Sequence, residues 1–169
     1  ATALSLRGLQ LYALTDKATL STRKEVQARI DRARQWLDTT PAQTHEDKVF
    51  RLWGLKWSGM AAARRSAPGT LLLKEQRADG GWAQLNDMDS DAYATGQALV
   101  VLHQANKMDP RSNAYRKGVS YLLQQQGEDG SWRVKTRCEP VQEYFESGFP
   151  HDASQIYFHC GDQLGGACP

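Results

Sequence analysis

Three aspartates alternate with other residues in the segment NDMDSDAYATGQAL: Asp87, Asp89 and Asp91. A carboxylic acid can serve as a proton donor when an apolar pocket and its neighbours keep it protonated. Asp89 and Asp91 are the candidate catalytic acids on that ground. The competing use of such a run is structural, because carboxylates at a helix start are favoured by the helix dipole. A second group is aromatic: Phe50, Trp53 and Trp57 fall in one short stretch, and Tyr93 follows the acids. Aromatic faces attract positive charge, so Trp53, Trp57 and Tyr93 are candidates to line a cation-stabilising cavity. Ordinary packing of bulky rings between helices is the alternative. Metal chemistry has little support. His45, His103, His151 and His159 form no i, i+4 pair, and Cys138, Cys160 and Cys168 contain no CxxC. Neither a metal nor a cofactor is expected.

The elements that must position these groups read as helices. Residues 3–14 place leucines at largely helical spacing. Residues 22–38 place Val26, Ile30, Ala33 and Leu37 on one face, with Ser21 or Thr22 as the expected N-cap and Pro41 beyond the end. A third helix is predicted over 44–60, where Thr44 and Asp47 resemble a capping box. A fourth is predicted over 68–77 with Pro68 near its first position, a fifth over 89–105 and a sixth over 110–126. No alternating strand pattern is convincing. The fold class expected is all-α, with repeats over residues 1–132 and an irregular segment over 133–169, where Gly, Pro, Cys and His interrupt the helical period.

Bulk properties exclude several functions. The 169 residues suggest one domain or part of a larger one. The net charge of +2, with no basic stripe interleaved with aromatics, argues against a nucleic-acid partner. The longest apolar run falls far short of the roughly 20 residues that a membrane span needs. Membrane association and compartment stay open. The opening ATALSLRGLQLYAL reads like the middle of a helix, so the chain is expected to start inside a larger protein.

The most specific feature is a phrase written twice. Residues 72–82 read LLKEQRADGGW and residues 122–132 read LLQQQGEDGSW. Leu72/Leu122, Leu73/Leu123, Gln76/Gln126, Asp79/Asp129, Gly80/Gly130 and Trp82/Trp132 match at a constant offset, the mark of a repeat architecture. The DG pairs predict tight turns, and the glycines permit conformations that a Cβ would oppose. A tryptophan at such a turn can stack on a glutamine amide and leave that amide free to bond backbone groups at a helix end.

Arg116-Lys117-Gly118, Tyr121-Leu122, Gln126 and Gly130-x-Trp132 together resemble the QW repeat of the terpenoid cyclases. The earlier copy keeps Leu72, Leu73, Gln76, Gly80 and Trp82 without the basic-Gly opening. A degenerate copy is expected at Arg34-Gln35-Trp36-Leu37. The run Asp91 to Leu99 and the run Tyr144 to His151 are similar to squalene–hopene-cyclase-like bacterial proteins. The resemblance covers roughly residues 20–155. It implies helix hairpins of a partial α/α toroid, a polyisoprenoid substrate and catalysis by alkene protonation. It also implies that Gln76, Gly80, Trp82, Gln126, Gly130 and Trp132 are structural. The family's acid motif, Asp-x-Asp-Asp-Thr-Ala, is incomplete here: one register puts Ser90 at its central acid, and the other gives Asp87-x-Asp89 followed by Ser90.

Two other toroid families fit less well. The zinc ligands of the prenyltransferase β subunits have no counterpart here. Cys160-Gly161-Asp162-Gln163 is close to an internal-thioester motif but misplaced for it. A frame change is a further expectation for the tail: with permitted codons, a one-base shift after Gln155 reads SISTAGTSWAVLA, the helix expected next. The reading as a whole is a squalene–hopene-cyclase-like repeat domain, acting on polyisoprenoids or derived from enzymes that do, and inactive as this chain. A non-catalytic binding or scaffold domain is the alternative. Self-association through an open toroid flank is expected.

Overall fold

A computed structural model of the chain describes residues 1–13 and 18–135. The expectations placed on Leu14, the three cysteines, His151, His159 and the frame beyond residue 155 lie outside the described residues. Within them the protein is all-α. Helix α1 spans Thr2–Gly8 and continues into a π-helical segment, Leu9–Ala13. The remaining helices are α2 (Leu20–Thr39), α3 (His45–Trp57), α4 (Ala62–Lys74), α5 (Ala92–Asn106) and α6 (Asn113–Gln125).

Local chemistry sets most of the boundaries. Helix α3 opens on the expected capping box: Asp47 N donates to Thr44 Oγ1 at 3.2 Å and Thr44 N donates to Asp47 Oδ2 at 3.0 Å. Helix α2 starts earlier than its sequence suggests. Its cap is Thr19, whose hydroxyl accepts from Thr22 N, so Ser21 and Thr22 lie inside the first turn. The stripe Val26, Ile30, Leu37 is buried as the spacing requires, with Ala33 packed beside it. Helix α4 corrects the sequence reading more strongly. Pro68 sits inside the helix rather than at its start. Proline removes one backbone donor there. Tertiary packing holds the helix across that point: Arg65 Nε bonds the Ala105 carbonyl, and Gly69 and Leu72 are buried. No staple turn forms at Arg34–Leu37, because α2 runs unbroken through it to Thr39.

The helices form two rows. In one, α1 packs on α3 and α3 on α5; in the other, α2 lies against α1 and α3, α4 against α3 and α5, and α6 against α5. Members of the first row run the same way. Tyr93 Oη at the start of α5 donates to Glu46 Oε1 at the start of α3, and Gln10 reaches the Trp57 carbonyl at the other end. The second row runs opposite. Arg65 near the start of α4 bonds the end of α5, and Tyr115 near the start of α6 meets His103 near the end of α5. One apolar cluster joins Leu6, Val26, Ile30, Leu37 and Leu55 across α1, α2 and α3. A second joins Val49, Leu52, Leu72, Trp82, Ala98 and Leu102 across α3, α4 and α5.

Candidate functional site

The repeated phrase folds twice into the same object. Each copy leaves the end of an even-numbered helix, turns through a glycine with positive φ (Gly80 at 90°, Gly130 at 86°) and brings its tryptophan back onto that helix. Gln76 Nε2 donates to the Gly80 carbonyl at 2.8 Å, and Gln126 Nε2 to the Gly130 carbonyl at 2.8 Å. Trp82 Nε1 donates to the Leu72 carbonyl and Trp132 Nε1 to the Leu122 carbonyl, both at 2.8 Å. Asp79 Oδ1 accepts from Gly81 N and Asp129 Oδ1 from Ser131 N, both at 2.9 Å. Backbone bonds close each turn, from Arg77 N to the Gly81 carbonyl and from Gly127 N to the Ser131 carbonyl. Through Trp82 and Trp132 the staples give a side-chain donor to a carbonyl in the last turn of α4 and of α6.

Their surroundings differ. Staple 1 is clamped between helices. Gln76 Nε2 also donates to the Ala114 carbonyl in α6 at 2.7 Å, and Trp82 is fully buried. A β-carbon on Gly80 would stand 2.7 Å from the Lys117 carbonyl oxygen, and one on Gly118 would stand 3.1 Å from Trp82 Cζ3. Staple 2 lies at the edge of the described residues: Trp132 is 36% exposed and Gln126 is exposed.

The candidate acids separate. Asp87 and Asp89 are exposed in the loop before α5 rather than inside that helix. Asp91 is buried and caps α5. Its Oδ1 accepts from Ala94 N at 2.8 Å and its Oδ2 from Gln84 Nε2 at 3.1 Å. Burial pushes the Asp91 pKa up; the bonds from Ala94 and Gln84 pull the other way and do not overcome the desolvation. The acid thus has one property of a proton donor, while both of its oxygens are engaged in holding the loop to the helix.

Tyr121 stands beside this group. Its hydroxyl donates to the Ser90 carbonyl, and burial, followed by the nearby Asp79, Asp91 and Asp89, pushes its pKa up to about 12. Gln84, fully buried, spends its amide hydrogens on Asp91 and on the Lys135 carbonyl, and its Oε1 has no hydrogen-bond partner among the described residues. Sequence reasoning missed Gln84 and Thr95, whose hydroxyl accepts from Trp82 N at 3.0 Å. Neither residue belongs to a motif or to a periodic pattern that would single it out. Tyr121 was visible only as the aromatic of the repeat phrase.

The aromatics form a stripe on α3. Glu46, Phe50, Trp53 and Trp57 follow helical spacing. Trp53 and Trp57 stack at 5.8 Å with planes 10° apart, and Phe50 meets Trp53 edge-on at 5.5 Å. The guanidinium of Arg7 lies 5.9 Å over the Trp57 ring. Tyr93 joins the opposite end of the stripe through Glu46. Eleven residues separate Glu46 from Trp57, about 16 Å of helix, so the acid end and the Trp57 end are a full helix length apart. The described residues contain no group of three or more His, Cys, Asp or Glu able to hold a metal ion, and no helix among them is long and apolar enough to cross a membrane.

Set beside known proteins, the chain matches no protein family, and no curated protein matches it. The residues themselves therefore carry any assignment.

Proposed function

We propose that this chain is a hairpin-repeat segment of an α/α toroid of the terpenoid-cyclase type, derived from enzymes that act on polyisoprenoids, and that it does not catalyse on its own. The observation that carries the reading is the staple built twice with the same hydrogen bonds on successive hairpins. The parallel row α1, α3, α5 backed by α2, α4, α6 is the packing that such repeats need. Trp53, Trp57 and Tyr93 would then form part of the wall facing a long apolar ligand.

Absence of turnover follows from the acid. Asp91 is tied at both oxygens, Asp89 is solvated, and a carbocation needs a site closed to water. Incubation with detergent-dispersed squalene, followed by mass spectrometry of the hydrocarbon fraction, is expected to return squalene unchanged. A cyclised product would overturn the non-catalytic reading. Saturable change in the tryptophan emission on adding squalene, lost in Trp53→Ala, is expected if the stripe lines a polyisoprenoid wall. No such change would favour the scaffold reading, in which the two rows serve only as a docking frame.

A further inference from the structure

The stretch Arg34 to Leu37, where the sequence suggests a further staple, serves another purpose. Helix α2 runs straight through it, so Trp36 is not drawn onto a turn and stays 51% exposed. Its ring lines a cavity of about 280 Å³ between the end of α2, the start of α1 and the start of α3. The walls are mostly apolar: Trp36 and Leu37 from α2, Pro41 from the connection that follows, and Phe50 from α3. Phe50 is held edge-on against Trp53, so this wall is in place before any ligand arrives.

Two charges of opposite sign stand on the α3 side. Asp47, Phe50 and Arg51 all line the cavity and are spaced i, i+3 and i+4. They share one helical face, with the β-carbons of Asp47 and Arg51 about 6 Å apart. Asp47 is exposed, and its Oδ2 accepts from Thr44 N at 3.0 Å. The guanidinium of Arg51 is turned to the end of α2, where Nε donates to the Leu37 carbonyl at 2.7 Å and Nη2 to the Asp38 carbonyl at 2.6 Å. These bonds fix the fork, and Nη1 has no acceptor among the described residues. A carboxylate and a fixed guanidinium one turn apart, with aromatic rings beside them, form a pattern that a hydrocarbon cannot use.

We propose that this cavity binds a free α-amino acid with an aromatic side chain. Its carboxylate accepts from Arg51 Nη1, its ammonium donates to Asp47, and its ring lies against Trp36 and Phe50. The volume suits one small molecule, since cavities for drug-sized ligands begin at about 300 Å³. The terminus of another protein would bring only one of the two charges. A simple amine or acid would leave the opposite group unanswered. Trp36, Asp47 and Arg51 take no part in the polyisoprenoid reading, so the two stand or fall separately.

The test uses the full chain. The indole N–H resonance of Trp36, identified by its loss in Trp36→Phe, is followed as L-phenylalanine, phenethylamine or 3-phenylpropionate is added at millimolar concentrations. L-phenylalanine is expected to give a saturable shift. Phenethylamine lacks the carboxylate and 3-phenylpropionate lacks the ammonium, so each is expected to bind at least about tenfold more weakly. Asp47→Asn keeps an oxygen for Thr44 N and removes the charge. It is expected to weaken L-phenylalanine about tenfold and to leave 3-phenylpropionate unchanged. Equal binding of the three compounds overturns the proposal, because the cavity then reads the ring alone. Absence of a saturable shift with L-phenylalanine also overturns it. So does an Asp47→Asn chain that loses L-phenylalanine and 3-phenylpropionate alike, which would make Asp47 a support of the cavity rather than a partner of the ammonium.

Discussion

Trp82 and Trp132 make one hydrogen bond in two environments: each indole donates at 2.8 Å to a leucine carbonyl ten residues earlier, yet Trp82 is fully buried and Trp132 is 36% exposed. The bond is therefore a property of the phrase, and the burial is a property of what docks on it. Comparing the copies separates the local part of the motif from its tertiary part within one molecule.

Gly80→Ala and Gly130→Ala test that separation. Both put a β-carbon on a residue with φ near 90°, which costs about 1–2 kcal/mol. Only at 80 does the new carbon also meet a backbone oxygen, at 2.7 Å. Urea unfolding is expected to show a loss of about 3 kcal/mol or more for Gly80→Ala and about 1 kcal/mol for Gly130→Ala. Equal losses would mean that staple 1 gains nothing from α6.

Gln76→Ala and Gln126→Ala give the polar counterpart. Gln76 bonds the Gly80 and Ala114 carbonyls; Gln126 bonds Gly130 alone among the described residues and is exposed. Expected destabilisations are about 2 kcal/mol and under about 1 kcal/mol. A larger effect at Gln126 would contradict the geometry.

Asp91→Asn probes the capped acid. The amide keeps the oxygen that caps Ala94 but presents a donor to the donor on Gln84, so one buried bond is lost, a cost of about 1–2 kcal/mol. The pH dependence has a definite sign. Burial raises the folded pKa of Asp91 above the usual 3.8, so the folded chain holds that proton more tightly than the unfolded one. The stability linked to it is complete below the unfolded pKa and is lost as pH rises through the folded pKa. Urea midpoints measured from about pH 3.5 to pH 7 should therefore show the advantage of the parent chain over Asp91→Asn shrinking as pH rises. A growing advantage would mean that the cap bonds outweigh desolvation.

Arg7→Met tests the cation over Trp57. Methionine keeps most of the apolar stem and removes the charge 5.9 Å from the ring. A double-mutant cycle with Trp57→Leu is expected to give a coupling of about 0.5–1 kcal/mol. Zero coupling would indicate that the stripe offers nothing to a positive charge in this setting.

Much of this was legible in the sequence because the phrase is local. The offset between the copies and the glycine turns determined the staples, and Thr44 with Asp47 announced the start of α3. The spacing of Val26, Ile30, Ala33 and Leu37 announced the buried face of α2. Pro68 misled because a proline is normally read as a helix start, whereas contacts from Arg65 and Gly69 to the end of α5 carry α4 across it. Thr19 was missed for a related reason. Several hydroxyls precede α2, and backbone geometry decides which one caps. Among the aspartates, the sequence offered Asp89 and Asp91 as candidates without separating them. Only folding distinguished the buried Asp91 from its solvated neighbours, through a glutamine seven residues earlier that carries no pattern at all.

The arrangement of rows also fixes an order of opening. Helix α3 touches α1, α2, α4 and α5, whereas among the described residues α6 has α5 as its one substantial helical neighbour. Such a stack comes apart like a zipper, its least connected member first and its most connected member last. Amide hydrogens of α6 should exchange with solvent ahead of those of α3, and staple 1, the latch on α6, should lose its protection with that helix although it precedes it by more than thirty residues in the chain.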